Sequence, residues 1–236
     1  MTTATKSKPK VAAKKTVKKT KKLETTLVSF LLDRSGSMAT IAPDVIGGFN
    51  TFIDAQAKEP GECKFVLTLF DTQGVDVEEF EAIADVPHFT PETYRPRAGT
   101  PLLDAIGKTI THVDGIKGKA KVLFVIYTDG QENSSHEYSR EAVKALVDQR
   151  QSEGWEFLFL GSDIDAYDQA GAIGIAAGST FSVSGQNTGH TMSTLTSATA
   201  DYRGGDMQAY AASVKDFNPE EKKSKETKKK KDEWKA

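Results

Sequence analysis

A nearly unbroken apolar run, Leu27-Val28-Ser29-Phe30-Leu31-Leu32, stops abruptly at Asp33-Arg34-Ser35-Gly36-Ser37. Such a run reads as a fully buried strand of a parallel sheet, and the carboxyl ends of strands in open α/β sheets are where ligands bind. Past the strand, side chains two apart point the same way, so Asp33, Ser35 and Ser37 can converge on one point. One carboxylate and two hydroxyls are hard oxygen donors of the kind a small divalent cation accepts, and Gly36 allows the backbone to come close.

Three oxygens do not complete a site of about six ligands. Thr100, in Gly99-Thr100-Pro101-Leu102, and Asp129, directly after the apolar run Val122 to Thr128, supply two more candidates at the ends of a loop and a strand. Pro101 suits the first position of a helix, so Thr100 can also serve as its N-cap.

The remaining chain alternates strand and helix. Apolar residues at helical spacing mark a helix near Pro43 to Gln56, with Gly47-Gly48 permitting close packing or a bend, and another after Pro101 with Leu103, Ile106, Ile110 and Val113 inward. Cys63 to Phe70 reads as a strand, Asp71-Thr72-Gln73-Gly74 as a hairpin turn, and Val75 to Ile83 as an exposed edge strand carrying Asp76, Glu78, Glu79 and Glu81. Further strands are expected at Lys121 to Thr128, Trp155 to Leu160 and Thr180 to Val183. Helices are expected from His136 to Arg150 with Ser135 as cap, from Gly161 towards Gly174, from Asn187 to Arg203, and weakly from Met207 to Val214. Asp163, Asp165 and Asp168 lack the spacing and terminal Glu of an EF-hand loop, and the first two fit better as favourable charges at a helix N-terminus. The sum is a doubly wound, mostly parallel α/β sheet with one antiparallel edge strand.

The order Asp33, Ser35, Ser37, Thr100, Asp129 resembles the metal-ion-dependent adhesion site of the von Willebrand factor type A (vWA) domain family, whose pattern is D-x-S-x-S, then Thr, then Asp. The resemblance covers roughly residues 25 to 203. It implies a Rossmann-like fold of strand order 3-2-1-4-5-6, with Asp33 and Asp129 at the switch point between the first and fourth strands. It also implies Mg²⁺ as cofactor, with Mn²⁺ or Ca²⁺ as alternatives. Ser35, Ser37 and Thr100 would be neutral ligands, the Asp carboxylates would act directly or through water, and a protein partner would offer an acidic side chain to the open position. Arg95 and Arg97, on the loop leading to Thr100, could sit beside the metal and hold a partner carboxylate, or offset nearby acids.

Charge divides the chain. Residues 1 to 24 carry nine Lys against Glu24, and residues 219 to 236 carry eight Lys against five acids, which leaves 14 basic and 27 acidic residues between them. The acidic core and the Lys-rich ends therefore call for different partners. Residues 1 to 24 are expected to be disordered, because they cannot bury enough apolar surface, and residues 204 to 236 to be weakly helical and then a disordered Lys-rich tail. A single cysteine, Cys63, excludes an intrachain disulfide and favours a reducing compartment. No apolar run approaches the roughly 18 to 20 residues of a membrane-spanning helix. A cytoplasmic protein with no membrane partner is expected, although the acid-free first 23 residues leave a transit peptide open.

The leading expectation is a non-enzymatic, Mg²⁺-dependent protein-binding module for adhesion or assembly. Two alternatives stay open. One is a nucleic-acid-associated protein that uses its Lys-rich tails and recruits through its core. The other is a metal-dependent hydrolase built on Asp33, for which the sequence offers neither a second Asp at Ser35 nor a nearby histidine.

Overall fold

The computed structural model describes residues 23–161, 165–183 and 188–216. The expectations for the Lys-rich ends and for Asp163 fall outside the described residues, as does the side chain of Asp165.

Six strands form one sheet in the order β3-β2-β1-β4-β5-β6. The run before Asp33 is β1 (Thr26–Asp33), buried at every residue because it pairs in parallel with β2 (Cys63–Asp71) on one side and β4 (Lys121–Tyr127) on the other. The acidic β3 (Gly74–Phe80) pairs antiparallel with β2 at the edge, and β5 (Glu156–Gly161) and β6 (Thr180–Ser182) continue the parallel half. Strand β3 stops three residues short of the expected Ile83, and its charges are partly paired: Asp76 with Arg34, Glu79 with His112.

Alternate residues of β1 feed two cores, as a strand buried on both faces requires. Val28, Phe30 and Leu32 pack against α1 (Ala42–Gln56), α5 (Thr188–Gly204) and α6 (Met207–Asp216), with Phe30 edge-on to Phe49 at 5.5 Å and Tyr210 and Val214 of α6 in the same cluster. Leu27 and Leu31 pack against α2 (Leu102–Ile116), α3 (Arg140–Ser152) and α4 (Asp165–Ala172). Gly48 is the close contact of α1 with α5: a Cβ there would stand 2.6 Å from Met192 Cγ. No helix among the described residues is long and apolar enough to cross a membrane.

Two helix starts differ from expectation, for one reason. Thr100 does not cap α2, whose Leu103 and Asp104 amides instead donate to Glu132 Oε2 (2.9 Å) and Ser135 Oγ (3.1 Å) of the β4–α3 loop. Reciprocally, the Asp104 carboxylate accepts the His136, Glu137 and Tyr138 amides at 2.8 to 2.9 Å. Those amides are engaged before a helix can use them, so α3 begins at Arg140 with Ser139 as its cap and not at His136. The two loops that carry Thr100 and Asp129 are thus fastened to each other.

Candidate metal centre

Parallel pairing of β1 with β4 puts their carboxyl ends side by side, so Asp33 at the end of one strand neighbours the Thr128-Asp129 end of the other. The loop that follows β1 is stitched to the segment before Thr100: the Arg97 amide donates to the Arg34 carbonyl at 2.8 Å and the Gly36 amide to the Ala98 carbonyl at 3.0 Å. Tyr94, buried beneath, donates its hydroxyl to the Asp33 carbonyl at 2.6 Å. Ala98 holds φ at 61°, a left-handed conformation uncommon for a residue with a Cβ. Thr100 is held in turn by Asn133, whose Oδ1 accepts the Thr100 amide at 3.0 Å while its own amide donates to the Thr100 carbonyl at 3.2 Å.

Three of the five side chains converge above Gly130. A Cβ on that glycine would stand 2.8 Å from Thr100 Oγ1, 3.2 Å from Ser37 Oγ and 3.4 Å from Asp33 Oδ2. Ser35 Oγ lies 3.0 Å from Ser37 Oγ, and Ser37 is near enough to Asp129 to act on its acidity. Asp33 is wholly buried, its Oδ1 accepting the Ser35 amide and its Oδ2 the Thr128 hydroxyl, both at 2.6 Å. Burial pushes its acid up to about 6, against those hydrogen bonds and with a further push from the Asp129 charge. Burial raises Asp129 as well, opposed by Ser37, and Asp129 Oδ1 is buried with no hydrogen-bond partner.

Two carboxylates are therefore held together in a poorly solvated place, and the adjacent cation does not relieve them. Arg34 turns to Asp71 (2.8 Å) and Asp76 (2.7 Å). Of the two roles expected for Arg97, beside the metal or offsetting a nearby acid, the second is seen: it pairs with Asp71 at 2.9 Å, and Arg95 is exposed. An unpartnered buried carboxylate oxygen close to converging hydroxyl and carboxylate oxygens is chemically compatible with a cation. The donors are carboxylates and hydroxyls, which suit Mg²⁺, Mn²⁺ or Ca²⁺ over softer metals. Thr128, Tyr94 and Asn133 support the site, and of the three only Thr128 carries a sequence signal: a polar residue closing a buried apolar run, directly before a candidate ligand.

The strand order, with its switch point between β1 and β4 and its antiparallel edge at β3, is the one the resemblance implies. The fold is of the vWA type. No family model and no curated protein matches the chain. Solved structures do. The pilus adhesin SpaC from Lactobacillus rhamnosus GG aligns over 77% of the chain at 10% identity with a TM-score of 0.57, and proximal thread matrix protein 1 from the mussel byssus over 75% at 13% identity with a TM-score of 0.50. The chain spans only 31% and 46% of those two proteins, and at such identities the likeness is one of fold alone. In a vWA fold the clustered oxygens occupy the crevice that doubly wound topology opens at the switch point.

Proposed function

We propose that Asp33, Ser35, Ser37, Thr100 and Asp129 hold Mg²⁺, and that the ion captures an acidic side chain of a protein partner. The chain is then a non-enzymatic adhesion or assembly module. The observation that carries this reading is the buried, unpartnered Asp129 Oδ1 beside the three oxygens that converge above Gly130. When bound, the metal would supply a positive, electron-poor centre that attracts an outside carboxylate, since three of the five side chains are neutral. This chain's residues orient it: Thr128 and the Ser35 amide fix the two oxygens of Asp33, and Asn133 fixes Thr100. Asp33, with both oxygens accepting hydrogen bonds, is better placed as a ligand than as a nucleophile. One protein that shares the fold is a pilus adhesin, in keeping with this reading.

The test is calorimetric titration of the full chain with Mg²⁺, followed by a short aspartyl peptide in Mg²⁺ and in EDTA. Saturable Mg²⁺ binding, with peptide bound only in its presence and both lost in Asp129→Ala, is expected. No Mg²⁺ binding, or peptide binding that persists in EDTA, would contradict the proposal.

A further inference from the structure

Beside the oxygen cluster lies a second cavity that the five residues do not use. It is a cleft of about 260 Å³ between the β2–β3 turn, the start of α2 and the β4–α3 loop. It adjoins the loop of Thr100 on both sides. Pro101, the next residue, lines it, and two other lining residues, Thr72 and Ser134, meet at Gly99, the residue before: a Cβ on Gly99 would stand 3.1 Å from Thr72 Cγ2 and 2.8 Å from Ser134 Oγ.

The charged groups in and beside its wall differ in what they have left to offer. Both buried acids are already engaged by three donors each. Asp104 accepts three backbone amides, and Asp71 accepts from Arg34, Arg97 and the Gln73 amide. The cations keep donors. Lys108 makes one ion pair, with Glu137 at 2.6 Å, out of the three bonds an ammonium can donate. Arg97 is not itself in the lining but is paired to the wall's Asp71 through Nε alone, with its side chain 46% exposed and its terminal nitrogens donating to no acceptor among the described residues. The exposed His136 ring completes the rim. A cleft whose buried carboxylates are already engaged and whose cations keep open donors can receive an acidic group. Glu137, also in the wall and 60% exposed, is the group that competes for Lys108.

We propose that this cleft takes a second carboxylate from the same partner segment, so that the partner offers two acids close in sequence and not one. The proposal rests on the metal-capture reading above, with Arg97 and Lys108 as the residues that set specificity. Bulk charge does not supply the preference, since residues 25 to 218 carry 27 acidic against 14 basic residues.

Two labelled peptides of equal length, one with a single Asp and one with a second Asp two residues along, decide the matter by fluorescence anisotropy on the full chain in Mg²⁺. The two-acid peptide is expected to bind about fivefold tighter. Lys108→Gln and Arg97→Gln should each narrow the ratio and Glu137→Gln should widen it, while Mg²⁺ affinity is followed in parallel by calorimetry. Equal affinity for the two peptides with Mg²⁺ binding intact overturns this inference alone. So does a ratio that survives in EDTA or is indifferent to all three substitutions. A chain that binds no Mg²⁺, or binds Mg²⁺ but neither peptide, overturns the capture reading and this inference with it.

Discussion

The Thr128 hydroxyl donates to Asp33 Oδ2 over 2.6 Å, across the adjoining carboxyl ends of β4 and β1. That same oxygen is one of the three that converge above Gly130. A residue just past the end of β4, not itself a candidate ligand, therefore fixes which way a candidate ligand presents its oxygen.

Thr128→Val keeps the shape and removes the donor. Asp33 Oδ2 is then buried short of a hydrogen bond, which should cost about 1 to 2 kcal/mol of stability in EDTA. Urea denaturation reads this, and the proposed Mg²⁺ affinity should fall several-fold in the same variant. Unchanged stability would mean that the bond contributes nothing.

Gly130→Ala tests the cluster without deleting a ligand. Its methyl would occupy the point where Thr100 Oγ1, Ser37 Oγ and Asp33 Oδ2 converge. The variant should fold, at an overpacking cost of about 1 to 2 kcal/mol, yet lose any rise in melting temperature on adding Mg²⁺. A full Mg²⁺ response in Gly130→Ala would place the ion elsewhere.

The metal-free protein should lose stability as pH rises. Asp33 holds its proton up to about 6 when folded, against an ordinary 3.8, so the folded chain binds a proton that the unfolded chain has released. Its contribution is complete below about pH 4 and is lost as pH rises through about 6, on the order of 3 kcal/mol in all. Urea midpoints in EDTA across that range should show the decline, and Mg²⁺, which favours the ionised carboxylate, should flatten it.

Much of this was legible in the residues. Strands β1 and β4 announced themselves as apolar runs ending in Asp33 and next to Asp129, and the two-residue spacing of Asp33, Ser35 and Ser37 survives as physical proximity in the loop. What local pattern could not give is competition from distant groups. Ser135 looks like a helix cap until Asp104, 31 residues earlier, takes the amides that follow it, and Arg97 looks free to attend the metal until Asp71 is folded against it. Asn133 reads as an ordinary loop residue because the partner it holds, Thr100, is 33 positions away.

Arg203 offers a check on the scaffold at the far end of the sheet. Buried at the end of α5, it donates to the Gln56 carbonyl and side chain and to the Glu59 and Gly61 carbonyls, closing the carboxyl end of α1. Arg203→Met should cost roughly 2 to 4 kcal/mol in urea denaturation while leaving the fractional response to Mg²⁺ unchanged. A loss of Mg²⁺ response in a folded Arg203→Met chain would show that the two ends are coupled.

The most direct test of the central claim is electron–nuclear hyperfine spectroscopy of the full chain loaded with Mn²⁺ in place of Mg²⁺, with an aspartyl peptide whose carboxylate is isotopically labelled. A strong coupling between the label and bound Mn²⁺, absent in Gly130→Ala, is the predicted result. Bound Mn²⁺ with no coupling to the peptide, or no bound Mn²⁺ at all, would contradict it.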